Sequence, residues 1–269
     1  MSSAITCGEA TIRLLAKYGV KTMFGIPGVH TLDFCRGLDK GVRHIQARNE
    51  QGAGFMAEGW ARATGEPGVA LVISGPGVTN ASTAIAQAYA DSLPVLLLSA
   101  EPASSTIGKG WGVLHEVTEQ KKVTEPLTAF SATAHRAQDV PELLARAFTV
   151  FVSQRPRPVH ISIPIDVQSE IVEDEWQPVI PPTLPSASVD QGNIVTKLLK
   201  GARSPMIMVG GGAWQAGNEL TAIAEQTGAI VIASTAGKGI VADNHPLSLS
   251  ASTVRPEVLQ LLPEADVIL

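Results

Sequence analysis

The side chains best suited to chemistry lie in short segments that each follow an apolar run of strand type. These segments are Gly25–His30 (GIPGVH), Arg48–Gly54 (RNEQGAG), Gly75–Asn80 (GPGVTN) and Lys109–Glu116 (KGWGVLHE). In a parallel sheet the carboxyl ends of the strands share one edge, and ligands bind in the crevice beyond it. The sequence therefore predicts one site that is assembled from all four segments.

Glu50 is the strongest candidate for acid–base chemistry. It begins a predicted helix whose next residues include Gly52, Ala53 and Gly54, and side chains this small let another body pack close to the helix start. A carboxyl covered there by an apolar ligand favours its protonated form, because burial disfavours charge, and it can then donate to a heterocyclic nitrogen. Taken alone, an acidic residue in a first helical turn is explained equally well by the helix dipole.

The Gly75-Pro76-Gly77 tripeptide lets the backbone turn tightly and approach a ligand near a helix start. It is not a phosphate-binding P-loop, because no Gly-Lys-Ser/Thr follows, and it does not match G-x-G-x-x-G. For this tripeptide alone, an ordinary turn between a strand and a helix is the simpler explanation.

The elements that must position these residues alternate along the chain. Strands are predicted at Lys21–Phe24, Val42–Ala47, Val69–Ser74, Val95–Ser99 and Val159–Ile163. Helices are predicted at Ala4–Tyr18, Thr31–Leu38, Gln51–Thr64 and Thr79–Asp91. The alternation predicts an α/β fold with a parallel sheet, and the continuous apolar strands indicate helices on both of its faces.

A second α/β pattern follows a proline-rich stretch. Gln177–Ser188 (QPVIPPTLPSAS) contains four prolines and predicts an extended linker. We therefore predict a first domain over 1–167, a linker over 168–189 and a second, Rossmann-like domain over 190–269. Its predicted elements are Asn193–Leu199 (helix), Pro205–Val209 (strand), Glu219–Thr227 (helix), Ala229–Ile232 (strand), Val258–Leu262 (helix) and Ala265–Leu269 (buried strand). Because the sequence stops in that strand, we expect the second domain to be truncated.

Composition excludes several classes of function. The net charge of −5 argues against binding to nucleic acid. No apolar run approaches the roughly 20 residues of a membrane span, and the N-terminus does not resemble a signal peptide. Cys7 and Cys35 form no pair with redox or zinc spacing. We expect a cytoplasmic protein with no membrane or nucleic-acid partner.

Four segments in fixed order carry a family resemblance. They are Phe24–Gly28 (FGIPG), Arg48–Gly65 (RNEQGAGFMAEGWARATG), Ser74–Leu96 (SGPGVTNASTAIAQAYADSLPVL) and Arg155–Val167 (RPRPVHISIPIDV). Together they resemble the N-terminal, pyrimidine-binding domain of thiamine diphosphate enzymes, in the group of acetohydroxyacid synthases and 2-oxo acid decarboxylases. The resemblance covers roughly residues 4–167, and the order and spacing of the four motifs make it specific.

The second region resembles the same family. Pro205–Gly217 (PMIMVGGGAWQAG) is similar to the start of its Rossmann-like middle domain, which binds FAD in some members. We interpret Gly210-Gly211-Gly212 as a structural turn and leave FAD binding open.

Within the family the chain most resembles decarboxylases of 5-guanidino-2-oxopentanoate. Gly25–Thr31, Gln51–Arg62 and Gly108–Glu116 carry this closer likeness. Acetohydroxyacid synthases typically read GYPGGA, RHEQ and FQE where this chain reads GIPGVH, RNEQ and LHE. These departures lie where the resemblance places the substrate, so they argue against acetolactate synthesis.

The resemblance implies a role for each site residue. Glu50 would contact N1′ of the cofactor's aminopyrimidine and activate it. The implied cofactor pocket consists of Ile26, Pro27, Gly28, Glu50, Pro76 and Asn80. The implied substrate side consists of Val29, His30, Leu114, His115 and Glu116. His115 is the second catalytic candidate, because a histidine exchanges a proton near neutral pH, and the remaining histidines (His44, His135, His160 and His245) are expected to be structural.

The cofactors and partners also follow from the resemblance. The family holds the diphosphate and Mg²⁺ through a C-terminal domain with a Gly-Asp-Gly motif, which this sequence lacks. We expect thiamine diphosphate as the cofactor, Mg²⁺ bound through that absent domain and no metal ligand within this chain. In the family the pyrimidine domain of one subunit faces the diphosphate domain of another. A homodimer or homotetramer is therefore expected, with a 2-oxo acid as substrate and little activity for the chain alone.

Three alternatives stay open at this point. An acetolactate synthase catalytic subunit would form acetolactate from pyruvate rather than release an aldehyde. A non-catalytic binding or assembly module would lack the diphosphate domain by design. A nucleotide-binding α/β protein would be stabilised against thermal unfolding by NAD or FAD rather than by thiamine diphosphate.

Overall fold

The computed structural model describes residues 5–38 and 40–269. The chain forms two compact units, Met1–Pro185 and Ser186–Leu269. Each unit contains a parallel sheet with helices, so the predicted α/β class is confirmed. Within the described ranges, no helix is long and apolar enough to cross a membrane.

The first unit alternates strands and helices along most of its length. In chain order its elements are β1 (Ile5–Thr6), α1 (Cys7–Lys17), β2 (Thr22–Gly25), α2 (Leu32–Cys35), β3 (Arg43–Gln46), α3 (Glu50–Thr64), β4 (Gly68–Val72), α4 (Pro76–Ala90), β5 (Val95–Glu101), α5 (Gln120–Thr124), β6 (Ser131–Thr133), α6 (Asp139–Val152), β7 (Val159–Pro164), α7 (Ile165–Gln168) and β8 (Ile171–Val172). Short 3-10 helices occupy Val29–Thr31 and Glu125–Leu127.

Six of these strands form one parallel sheet in the order β3-β2-β4-β5-β7-β6, and β1 pairs with β8 in a separate antiparallel ribbon. Apolar side chains cover both faces of the sheet. In β5, Leu96 and Leu98 join the cluster that includes α1 and α6, whereas Val95 and Leu97 join the cluster that includes α3 and α4. Burying each such leucine contributes about 1.5–3 kcal/mol, which explains why the strand is apolar at successive positions.

The crossovers diverge at the centre of this sheet. After β2 the chain crosses to β3 on one side, and after β4 it crosses to β5 on the other side. Parallel sheets bind ligands beyond the carboxyl ends of two strands whose connections diverge in this way. The turns that follow β2 and β4 lie against each other, since a Cβ on Gly28 would lie 2.6 Å from Ile73 Cγ2.

Two parts of the first unit differ from the predicted elements. The predicted helix Thr31–Leu38 is shorter than expected, because α2 ends at Cys35. The backbone N–H groups of Gly37 and Leu38 each donate to the carbonyl three residues earlier, as in a 3-10 turn. Close packing favours this tighter turn, because a Cβ on Gly37 would lie 2.6 Å from Ile12 Cβ. The predicted first helix begins at Cys7, and Ala4 lies outside the described residues.

The predicted linker over 168–189 lies partly on the first unit. β8 falls within it, Trp176 packs against the core, and the Val179 N–H donates to the Tyr18 hydroxyl at 3.0 Å. Residues 173–188 contain no helix or strand.

The second unit is smaller. Its elements are α8 (Val189–Gly201), β9 (Pro205–Val209), α9 (Gly217–Thr227), β10 (Ile230–Ala233), α10 (Pro256–Leu259) and β11 (Val267–Ile268), with 3-10 helices at Gly211–Ala213, Thr235–Gly237 and Leu262–Glu264. The sheet is parallel in the order β10-β9-β11. A strand does form in Ala265–Leu269, but its predicted burial is wrong: β11 is an edge strand and Ile268 is 48% exposed.

Candidate active site

Glu50 is held at the first position of α3. The Asn49 side chain caps the helix by accepting from the Gln51 N–H at 2.8 Å, so the chain turns into the helix directly at Glu50. The Glu50 side chain is half-buried, and its Oε2 accepts from Asn80 Nδ2 at 2.9 Å. Among the described residues no donor is directed at Oε1. One carboxylate oxygen is therefore fixed by the protein, and the other is open to a ligand.

Asn80 reaches Glu50 because α3 and α4 pack closely. A Cβ on Gly54 would lie 2.7 Å from Ala84 Cβ, so only glycine permits this separation of the helices. A Cβ on Gly52 would meet nothing within 4 Å. Of the small residues that predict close packing near Glu50, Gly54 thus accommodates α4, whereas Gly52 leaves the outer side of the helix start open.

His30 and His115 lie together at the same edge. The His30 Nδ1 is hydrogen-bonded to the Ser74 hydroxyl at 2.6 Å, and the two imidazole rings meet edge to face with 5.7 Å between centroids. Burial lowers the pKa of His30 below its ordinary value, and the neighbouring His115 lowers it further. His30 is therefore neutral at neutral pH and able to donate or accept a hydrogen bond.

The Gly75 turn is the point where the long loop touches the sheet. Gly75 has a φ of 54°, and a Cβ there would lie 2.1 Å from the His115 carbonyl oxygen. A side chain at this position would displace the loop that carries His115. His115 itself has a φ of 61°, an uncommon conformation for a residue other than glycine.

Glu116 organises that loop. Its carboxylate accepts from the backbone N–H groups of Gly110, Gly112 and Val113 at 2.8, 2.6 and 3.2 Å. Gly108, Gly110 and Gly112 all have positive φ, which lets the loop curl around one carboxylate. This structural task for Glu116 was not predicted from its sequence position beside His115.

The remaining predicted residues surround this centre with apolar surface. Ile26 packs against the core cluster of α3 and α4. Val29 is 73% exposed and Leu114 is 57% exposed, while Pro27 and Pro76 are exposed at the tips of their turns. The structure thus brings together Glu50 with Asn80 and His30 with His115, and it leaves an open apolar rim beside them.

Two residues of this edge escaped the sequence prediction. Ser74 orients His30, and its place as the last residue of the predicted strand Val69–Ser74 was the available signal. Gln120 accepts from the Gly75 N–H through Oε1 at 2.7 Å. It lies outside all four motifs, and nothing in its sequence context indicates this contact.

The arrangement is suited to proton transfer. It combines a carboxyl with one open oxygen, a pair of histidines and apolar surface that reduces the access of water to a bound ligand. No group of three or more His, Cys, Asp or Glu side chains in 5–38 and 40–269 is placed to hold a metal ion.

Two family models match the chain. Residues 5–124 match the N-terminal TPP binding domain of thiamine pyrophosphate enzymes, and residues 193–269 match their central domain. The first match contains every residue of the predicted site.

Several curated proteins are similar over nearly the whole chain. A protein of Pseudomonas aeruginosa named as a probable 2-ketoarginine decarboxylase is 49% identical over 98% of this chain and 48% of its own length. The large subunit of acetolactate synthase isozyme 1 of Escherichia coli is 32% identical over 98% of this chain and 48% of its own length. A probable acetolactate synthase large subunit of Methanocaldococcus jannaschii is 36% identical over 90% of this chain and 42% of its own length. The chain thus spans about half the length of these relatives.

Proposed function

The chain belongs to the thiamine pyrophosphate enzymes, of which it carries the N-terminal TPP binding domain and central-domain sequence, and we propose that it forms the cofactor-activating part of a 2-oxo acid decarboxylase. The observation that carries this proposal is the Glu50–Asn80 pair at the sheet's switch point. Since the matching relatives are about twice as long, the activity is proposed for the protein expressed from its complete reading frame.

Glu50 acts on the aminopyrimidine of thiamine diphosphate. Asn80 donates to Oε2, so a proton on the Glu50 carboxyl resides on Oε1, the oxygen that is open to a ligand. From there the carboxyl donates to a ring nitrogen and takes the proton back. Once bound, the cofactor supplies a carbon nucleophile and accepts the electron pair that decarboxylation releases.

The turn after β2 and the start of α4 provide the rest of the pocket. Ile26 presents a partly buried apolar side chain, and Gly28 keeps the backbone close to Ile73. Pro27 and Pro76 are exposed and rigid, which suits the edges of a flat ring.

His30 and His115 act on the substrate side. His30 is neutral and fixed by Ser74, so it can orient a carbonyl or carboxylate without adding charge. The edge-to-face contact places the His115 ring beside it, where it can deliver the proton that completes an aldehyde. Val29 and Leu114 are exposed at the same rim, and Glu116 holds the loop that carries Leu114. We propose that the two apolar side chains contact the substrate.

We propose 5-guanidino-2-oxopentanoate, another name for 2-ketoarginine, as the substrate. Support comes from the 49% identity to the relative that is named for this compound. Acetolactate synthesis is the second candidate, supported by identities of 32% and 36% to acetolactate synthase subunits.

The wider assembly is part of the same proposal. We propose a cytoplasmic homodimer or homotetramer, with Mg²⁺ bound together with the cofactor diphosphate by residues outside this chain. The exposed side chains of Val29, Leu32, Trp111 and Leu114 give the site an apolar surface that an opposing domain would cover. The proposed decarboxylation does not require FAD.

Product analysis tests the proposal. The protein from the complete reading frame is incubated with thiamine diphosphate, Mg²⁺ and either 5-guanidino-2-oxopentanoate or pyruvate. We expect carbon dioxide and 4-guanidinobutanal from the first substrate and little turnover of the second. Acetolactate from pyruvate would instead establish the second candidate, and absence of turnover with either substrate would contradict both.

A further inference from the structure

A chain of buried polar side chains runs through the first unit to the Gly75 turn. Ser99 and His160 project from β5 and β7 and are fully buried, and Gln120, the first residue of α5, is 2% exposed. Ser99 Oγ bonds His160 Nε2 at 2.8 Å, and Gln120 Nε2 donates to Ser99 Oγ at 3.1 Å. Gln120 Oε1 then accepts from the Gly75 N–H at 2.7 Å.

The direction of these hydrogen bonds follows from the chemistry of the groups. Gln120 Nε2 is a donor, so Ser99 accepts from it, and the Ser99 hydroxyl proton has His160 Nε2 as its acceptor. His160 therefore carries its proton on Nδ1 and donates it toward Thr124 Oγ1 and Ser131 Oγ, at 2.6 and 2.9 Å. The orientation of the Gln120 amide is itself fixed, because the Gly75 N–H can only donate and the Ala100 carbonyl can only accept.

Gln120 is held at both ends of that amide. Its Nε2 also donates to the Ala100 carbonyl at 2.8 Å, so β5 fixes the nitrogen while Gly75 is bound by the oxygen. The Gly75 N–H is buried and precedes α4, where helix geometry provides no acceptor for it. Gln120 is the acceptor that satisfies it.

We infer that Gln120 is a positioning residue, which fixes the Gly75 turn against the sheet and so sets where α4 presents Asn80 to Glu50. Asn80 lies four positions after Pro76 in α4, which is about one helical turn. A shift of the turn therefore moves the Asn80 amide relative to Glu50 Oε2. The same turn touches the His115 carbonyl, so Gln120 supports both halves of the site.

The catalytic consequence rests on the proposed function, whereas the structural coupling does not. The test therefore has two arms. In the first, the 269-residue chain is labelled with ¹⁵N, and hydrogen exchange of the Gly75 amide and the side-chain resonances of Asn80 are measured by NMR for the wild type and for Gln120→Met.

The matched control is Gln168→Met. Gln168 is 1% exposed and donates from Nε2 to the Ile163 carbonyl at 2.7 Å, so Gln168→Met removes one buried glutamine hydrogen bond at a residue far along the chain from Gly75. We expect Gln120→Met to speed Gly75 exchange about tenfold, as the loss of one buried hydrogen bond implies, and to shift the Asn80 resonances. Gln168→Met should do neither, and equal behaviour of the two variants would overturn the inference.

Ser99→Ala keeps the inference testable if Gln120→Met does not fold. It removes one of the two bonds that hold the Gln120 nitrogen and leaves the Ala100 bond in place. We expect a smaller change of the same kind at Gly75 and Asn80. No change at either residue would contradict the inference.

The second arm uses the protein from the complete reading frame. Gln120→Met should lower kcat about tenfold, the scale of one displaced hydrogen bond, with KM for the 2-oxo acid near that of the wild type. An unchanged kcat would overturn the catalytic role. A wild type without thiamine diphosphate-dependent activity would instead refute the proposed function, and the NMR arm would still decide the coupling.

Discussion

The two units place glycine-rich turns at the carboxyl ends of parallel strands, yet the turns differ in what they leave open. In the second unit the turns after β9 and β10 close on each other. A Cβ on Gly237 would lie 2.2 Å from the Val209 carbonyl oxygen, and one on Gly211 would lie 3.1 Å from Ala236 Cβ. Ser234 caps its own turn by accepting from the Gly237 N–H at 3.2 Å.

In the first unit glycine lets different elements pack closely, while the titratable side chains beside them keep polar atoms available to a ligand. The His115 loop packs against Gly75, and α4 packs against Gly54. Glu50 nevertheless keeps one carboxylate oxygen open, and the two histidine rings meet at the sheet edge. Glycine at a sheet edge therefore permits close approach of other elements and does not by itself make a site. Titratable side chains whose polar atoms remain accessible decide that.

Substitution of Glu50 should reduce activity more than any other change considered for this chain. In the protein from the complete reading frame, Glu50→Gln should reduce turnover by roughly 10²-fold or more, because the amide cannot exchange a proton with the cofactor ring. Glu58→Gln on the same helix is the control, since Glu58 pairs with Arg62 rather than with Asn80. Steady-state kinetics of both variants decides the matter, and a Glu50→Gln enzyme that retained nearly the full rate would remove Glu50 from its role.

A pair of glycine substitutions tests the contrast between the sheet edges. Gly75→Ala should destabilise the first unit by roughly 1–3 kcal/mol from backbone strain alone, and a further cost arises because a Cβ there meets the His115 carbonyl. Gly210→Ala should change stability little, since its φ is −106° and a Cβ meets nothing within 4 Å. Chemical denaturation measures both, and similar losses for the two variants would contradict the distinction.

Acid stability provides a further contrast, because the first unit contains a fully buried histidine. Burial lowers the pKa of His160 from 6.5 to about 3. Below pH 6.5 the unfolded chain binds a proton that the folded chain does not. The free energy of unfolding is therefore unaffected by His160 above pH 6.5 and decreases as the pH falls from 6.5 toward 3. Urea unfolding at several pH values should show that the free energy of unfolding decreases less steeply with acid for His160→Asn than for the wild type. Parallel decreases in the two proteins would contradict this role of the buried histidine.

FAD should have no measurable effect on the thermal stability of the chain. Because the glycine turns of the second unit close on each other, added FAD should leave the Tm of the chain unchanged within about 1 °C. A ligand at 100 times its Kd would stabilise the folded state by about 2.7 kcal/mol. A Tm that rises with FAD concentration would show that the second unit binds the dinucleotide after all.

Much of the fold could be predicted from the sequence, because apolar runs and helical periods are local signals. β9 was predicted with its observed bounds. α6 is absent from the predicted elements, although Val140, Leu144, Ala147 and Phe151 recur at helical spacing and are buried. α8 begins earlier than predicted, because Ser188 and Gln191 form a capping box.

The site was predicted only in part, since contacts between distant segments have no local signal. Motif order indicated which turns share an edge, and the structure adds that Asn80 binds Glu50 and that His30 meets His115. The hydrogen bond from Gly75 to Gln120 joins residues 45 positions apart. Only the three-dimensional structure shows such a contact, because polar groups in a core are paired by geometry rather than by spacing.

Exchange of the C2 proton of thiamine diphosphate with D₂O reports activation of the cofactor without any substrate, so it isolates the role proposed for Glu50. The protein from the complete reading frame and its Glu50→Gln variant are mixed with thiamine diphosphate and Mg²⁺, and the exchange is followed by NMR. We expect the wild type to accelerate exchange by about 10²-fold or more through general acid–base catalysis, and Glu50→Gln to abolish most of that gain. Equal exchange rates in the wild type and the variant would contradict the assignment of Glu50 and of this sheet edge as the cofactor site.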